Sequence, residues 1–304
     1  MTNVLLYWSN ICILHRQELR FLETVKESLK KQGILLTVTC FGLGYASHMS
    51  EELKRPDVPL PDMIVSADLE VFEDERIFSR FFDSLLPLAT MLPVKETEGV
   101  PLLRRGHCLL PYLAIPLVFY GERPSKNLSL SELAKSGFPL AFGGINNSAA
   151  KSVVKTVWMH SGRDAAERLL KNSVVTSMPI EAFNRARLGK SPLALVPSIY
   201  ARQADGISRF LSCPADGAVA VPSYICARST ISMDCARTVA AALRSPEISQ
   251  FYVESGSLIC CALDSPAEPW MKTSKGFLQL PSLEFLQTLP SEEFYDLYER
   301  YLSP

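Results

Sequence analysis

The chain has 304 residues, 47% of them apolar and 21% charged, a balance that excludes wholesale disorder and supports about two domains whose cores need no disulfides. Its 31 Lys and Arg against 32 Asp and Glu leave a net charge of −1, so no general attraction to nucleic acid or to an anionic membrane is expected. The longest apolar stretch, Cys108 to Tyr120, carries two prolines and is too short for a bilayer span, so a soluble protein is expected.

Short apolar runs alternate with helical patterns, the arrangement of an α/β fold with largely parallel sheet. Val4 to Trp8 reads as the first strand. Leu14 to Gln32 follows as a helix with Leu19, Leu22, Val25 and Leu29 on one face, stopped at Gly33. Ile34 to Phe41 is a second strand, and Met63 to Val65 a third that opens onto Ser66 and Asp68. Residues 112–119 form a strand-like crossing with Pro116 inside it, a placement disfavoured in a central strand. Further on come a short helix at Ser129–Lys135, a strand at Phe138–Phe142, a helix from Ser148, a helix over 163–171, and another from Pro179 to Gly189. The buried-type strand Leu193–Val196 follows. Ala218 to Ser229 is a second crossing, again with a proline, and helices at 233–244, 246–254 and from Ser291 complete the chain.

Two crossings bracketing a block of about 100 residues predict a discontinuous first domain, 1–115 plus 223–304, with 116–222 inserted as a second. A ligand cleft is expected between them. Eight cysteines without any CxxC pair read as buried free thiols in a reducing compartment, with disulfides or a metal site as the alternatives. The N-terminus, MTNVLLYWSN, has no basic region ahead of its apolar run, so no export signal is read there and a cytoplasmic location is expected. An extracytoplasmic location is the alternative if a leader has been removed.

Open α/β sheets bind ligands beyond the carboxyl ends of their strands, which makes the strand ends the places to search. Ser9 and Asn10 follow the first strand and serve either as donors to a ligand or as a helix-entry turn. After the second strand come Tyr45, Ser47 and His48 beside Gly42 and Gly44; a solvated loop is the plain alternative. Ser66 and Asp68 are ligand contacts or caps. Asn146, Asn147 and Ser148 stand at a helix start whose N–H groups suit an anion or carboxylate, with capping by Ser148 compatible with that role. Ser198 and Tyr200 follow the Leu193–Val196 strand. The four histidines share no metal-ligand spacing, and no GxSxG, Walker A, GxGxxG or HExxH motif is present. No catalytic residue, metal or cofactor is therefore assigned.

The order of segments resembles the type II solute-binding proteins of ABC importers, the group handling iron, molybdate-like oxyanions and thiamine. VLLYWS is similar to that family's first strand and ligand loop, and PDMIVSADLEVFED to its third strand. The run from Ala114 to Val154 is similar to its hinge strand, short helix, strand and cleft-facing helix. GKSPLALVPSIYARQ and DGAVAVPSYICARS are similar to the approach to the return crossing and the crossing itself, and SPEISQFYVESGSL to the closing helices, so that about residues 1–260 are covered. The resemblance implies a two-lobed clamp with two hinge crossings, each lobe a mainly parallel sheet flanked by helices. It also implies a small, anionic or carboxylate-bearing ligand and an ABC permease as partner, without catalysis, nucleic acid or membrane span. The chain departs from the family in its missing leader and its many cysteines. The iron-binding branch has adjacent tyrosines where this chain reads Ser198, Ile199 and Tyr200, which counts against ferric binding through a tyrosine pair. The rival is an intracellular enzyme or ligand sensor on the same fold, which a titratable pair such as His48 beside Asp68 would favour.

Overall fold

The first strand is apolar on both faces, as a strand inside a covered sheet must be, and Val4, Leu6, Tyr7 and Trp8 are all buried. The computed structural model describes residues 1–42, 44–123, 127–145, 147–268 and 277–302. Its strands are β1 Thr2–Ser9, β2 Ile34–Phe41, β3 Met63–Ser66, β4 Leu110–Gly121, β5 Ala141–Gly143, β6 Val174–Thr176, β7 Leu193–Pro197, β8 Phe210–Ser212, β9 Ala218–Ala227, β10 Ile259–Cys260 and β11 Leu278–Gln279. Its helices are α1 His15–Lys31, α2 Met49–Lys54, α3 Glu70–Glu73, α4 Glu75–Phe78, α5 Leu130–Ser136, α6 Ser148–Ser161, α7 Arg163–Asn172, α8 Pro179–Arg187, α9 Met233–Leu243, α10 Pro246–Gly256, α11 Leu283–Thr288 and α12 Ser291–Leu302. Among the described residues no helix is long and apolar enough to cross a membrane.

The chain divides into two units, Met1–Ala114 with Pro222–Pro266, and Ile115–Val221 with Ala267–Pro304. In unit 1, β1 pairs in parallel with β2 on one side and β3 on the other. The second half of β9 runs antiparallel to β3, and β10 antiparallel to the start of β4. One sheet face packs Tyr7, Ile64, Tyr224 and Cys226 against Met49, Leu53, Val71, Phe72, Ile77 and Phe81. The other side carries α1, α9 and α10, with Trp8, Tyr112 and Tyr252 in edge-on contact in sequence.

In unit 2, β5 lies between parallel partners β6 and β7, β7 is antiparallel to the second half of β4, and β4 also takes β8. The core joins Phe119, Phe142, Leu195 and Val219 of the strands to Leu133, Val153, Val157, Leu169, Phe294 and Leu297 of the helices.

Pro116 in β4 and Pro222 in β9 sit where each strand changes unit. β4 pairs with β10 at Leu113 and Ala114 and with β7 only from Leu117, so Pro116 falls between two ladders and its missing N–H removes no bond from either. Pro222 likewise lies between the β11 pairing at Ala218 and Val219 and the β3 pairing at Tyr224 to Ala227.

Two expectations are corrected. The expected first domain takes in everything from 223 to 304, whereas the stretch from Ala267 belongs to unit 2, because the stripe Phe294, Leu297 and Tyr298 on α12 buries in that unit's core. The expected stripe on the first helix includes Leu19, which is 39% exposed; the buried set is Glu18, Leu22, Val25 and Leu29. A carboxylate thus occupies a core position.

Candidate functional site

The carboxyl edge of unit 1's parallel sheet gathers seven of the candidate residues. Ser9 pairs with Phe41 and Trp8 with Val65, so the ends of β1, β2 and β3 are level. Ser9 with Asn10, the loop holding Tyr45, Ser47 and His48, and Ser66 with Asp68 all leave from that one edge. β1 is the middle strand of the three, so its exit is flanked by both other loops. The unit 2 sheet does the same on a smaller scale, with β5 ending at Gly143 ahead of Asn147 and Ser148, and β7 ending at Pro197 ahead of Ser198 and Tyr200. Asn146 lies outside the described residues.

Several of these side chains are already engaged locally. The Ser66 hydroxyl accepts from the Asp68 N–H at 2.9 Å, and Asp68 accepts from the Ser50 N–H at 3.1 Å, capping α2. The His48 N–H donates to Glu51 at 3.0 Å, which fixes the entry to the same helix. Asn147 caps α6 by accepting from the Ala149 N–H at 2.9 Å, so the cap is Asn147 and the expected capping residue, Ser148, is the first helical residue, buried behind it. Tyr45 shares a hydrogen bond with Cys40; partial burial and that bond push its phenol up to about 12. Tyr200 is buried and stacked on Phe183, ring centroids 5.1 Å apart, and Phe183 leans in turn on Tyr120. Ser198 is buried at the strand end. The Asn10 amide group lies against Gly42, filling the space that any larger residue would need there. By contrast, the Ser9 and Ser47 side chains, both half-buried, make no hydrogen bond with the described residues.

On unit 2, α6 offers the positive end of a 14-residue helix. Lys151 and Lys155 lie along it, their ammonium groups over the Tyr295 and Phe294 rings at 5.7 and 5.2 Å. The turn into α6 needs glycine twice: Gly144 has φ +98, and a β-carbon on Gly143 would stand 2.5 Å from the Met178 carbonyl oxygen and 2.6 Å from the Thr176 hydroxyl. Gly143→Ala is therefore expected to destabilise the fold by about 1–3 kcal/mol through overpacking, read as a lower urea midpoint at unchanged m-value.

Sequence reasoning missed Glu18, which the fold brings against this edge of unit 1. It is 2% exposed, accepts from the Ile11 N–H at 2.9 Å and from the Tyr252 hydroxyl at 2.7 Å. Burial outweighs both bonds and pushes the carboxyl up to about 7. The available signal is its spacing, four residues before Leu22 on the buried stripe.

All seven cysteines whose side chains are described are free thiols, five of them buried. Burial pushes Cys213 up to about 11 and Cys226 to about 12, which makes them poor nucleophiles. Among the described residues no three His, Cys, Asp or Glu side chains are grouped to hold a metal ion.

No family model matches the sequence, and no curated protein matches it. Solved structures do match in fold over the full length. The iron-bound HitA of Pseudomonas aeruginosa is similar at 14% identity and a TM-score of 0.71, with 99% of this chain and 100% of that one covered. A periplasmic thiamin binding protein is similar at 14% identity and TM-score 0.65, covering 99% and 96%. The Trichodesmium protein IdiA (FutA), solved with iron and citrate, is similar at 15% and 0.68, covering 99% of each chain. One of these neighbours is a binding protein by name and the other two were solved with iron bound. The chain has the α/β, two-lobed type II periplasmic-binding-protein fold.

Proposed function

We propose that this protein is a solute-binding component of the ABC-importer kind, taking a small anion or a carboxylate-bearing ligand. The observation that carries the reading is the gathering of hydroxyls and backbone N–H groups at the carboxyl edge of each parallel sheet, with the Ser9 and Ser47 hydroxyls uncommitted within the described residues. The α6 N-terminus with Ser148 and its two lysines supplies positive field without a large net charge. Hydroxyl and amide donors suffice to orient a ligand, and the thiamin binding protein similar in fold supports the same non-catalytic reading.

An anion fits these residues better than a ferric ion held by phenolates. The end of β7 carries one tyrosine, and its ring is buried in a stack. The periplasmic location of the thiamin-binding neighbour favours the extracytoplasmic alternative over the cytoplasm, with delivery to an ABC permease as the task.

A thermal-shift screen with sulfate, molybdate, oxalate, citrate and thiamin, alongside native mass spectrometry of co-purifying ligand, tests this reading, since a ligand of the folded state raises its apparent stability. Ser9→Ala and Ser148→Ala are each expected to weaken the hit by about 1.5–3 kcal/mol, the worth of one hydrogen bond to a charged group. Unchanged affinity in both variants would remove the proposed site.

A further inference from the structure

Glu18 is the one carboxylate on the buried stripe of α1, and it ties together two things that need not otherwise move together. Its Oε2 holds the Ile11 N–H, the first amide after Ser9 and Asn10, and its Oε1 holds the Tyr252 hydroxyl on α10. The exit of β1 is thereby fastened to a helix 234 residues away in sequence. Tyr252 from α10 touches the carboxylate, and Tyr112 from β4, Cys40 near the end of β2, and Tyr45 in the following loop lie within its electrostatic reach. None of these is a cation. Lys26 acts on Cys40 and Arg244 on Tyr112.

The negative charge of Glu18 reaches the end of β2 and the loop that follows it, on one side of the β1 exit. Burial is the main cause that raises the Cys40 thiol and the Tyr45 phenol, and the Glu18 charge adds a smaller push to each; Glu18 touches the β1 exit through the Ile11 N–H. A bound anion at that edge would feel the same field as repulsion. We propose that Glu18 is a proton-operated positioning residue for the β1 loop, so that taking up a proton there strengthens the binding of an anionic ligand and giving it up weakens the hold. This rests on the reading that the β1 exit contacts ligand. By linkage, a cationic ligand would show the opposite pH dependence.

The first test needs no ligand. In a 15N–1H titration of the full chain the Ile11 amide shift is expected to follow a single proton with a midpoint near 7, to stay flat in Glu18→Gln, and to persist in His15→Gln, which removes the imidazole one turn earlier on α1. Tyr252→Phe deletes a bond that favours the charged form and is expected to move the midpoint upward. A flat amide in the wild-type chain, or an unchanged titration in Glu18→Gln, overturns the proposal.

The second test uses sulfate, molybdate and oxalate, whose charges do not change between pH 6 and 8. Affinity on the order of tenfold higher at pH 6 is expected for the wild type, and equal affinity at both pH values for Glu18→Gln. Equal affinity in the wild type overturns the linkage even if the amide titrates. Should none of the three anions bind at either pH, the anion reading falls and the linkage with it, while the Ile11 amide still decides whether Glu18 governs the loop.

Discussion

Phe294→Ala is expected to destabilise the protein by about 3–5 kcal/mol, the range for deleting a fully buried aromatic ring from a core that cannot collapse around the gap. The ring is 1% exposed. It stacks on Tyr298 at 5.6 Å, meets Trp158 of α6 at 6.3 Å, and lies under the Lys155 ammonium. Its neighbour Glu293 pairs with Arg163 at the start of α7 at 2.7 Å, so α12 is held to unit 2 by packing and by charge. Urea unfolding followed by circular dichroism checks the value, with Leu283→Ala as the comparison: Leu283 is 46% exposed on α11, and its truncation is expected to change stability by no more than about 0.5 kcal/mol. A similarly small effect at Phe294 would mean that the C-terminal helix is an accessory and not part of the unit 2 core.

What was legible in the sequence follows from how local each signal is. The limits of β2, Ile34 to Phe41, and the stop of α1 beside Gly33 agree with expectation because branched apolar runs, paired lysines and a glycine act within a few residues. The crossings were visible as apolar runs, but their prolines looked wrong for a central strand, since only the pairing shows that each falls between two ladders. The tail was misassigned because the stripe of α12 says that the helix buries one face and says nothing of which core receives it.

The candidate residues divide in the same way. Strand-end arithmetic brings Ser9, Ser66 and the loop after β2 to one edge, which follows from parallel pairing and needs little else. Whether a polar side chain there is spare or engaged depends on single hydrogen bonds, so Asp68 and Asn147 emerge as caps and Tyr200 as packing only in three dimensions. Glu18 was hidden for a related reason. Carboxylates are ordinarily solvent-facing, so an apolar stripe read from the sequence passes over it, although its spacing is that of the core.

Replacing Glu18 by glutamine is expected to stabilise the protein above neutral pH, an unusual result for a change to a buried, doubly hydrogen-bonded residue. The wild-type carboxyl is raised from 4.5 to about 7 in the folded chain, so the folded state holds a proton that the unfolded state has lost over that interval. Stability from this group is therefore fully present below pH 4.5, falls as pH rises, and levels off above about 7. The whole fall corresponds to roughly 3 kcal/mol. Glutamine keeps the shape, accepts from the Ile11 N–H through its carbonyl, and can donate to the Tyr252 oxygen through its amide, yet it carries no charge to desolvate. The loss of charge-assisted bonding offsets part of the gain, leaving an expected advantage of about 1–2 kcal/mol at pH 8 that reverses to a disadvantage of about 1 kcal/mol at pH 5. Urea midpoints at four pH values between 5 and 8 measure the difference directly. Parallel curves for the two proteins would show that Glu18 keeps its charge throughout, and that its two hydrogen bonds, not its burial, govern its protonation.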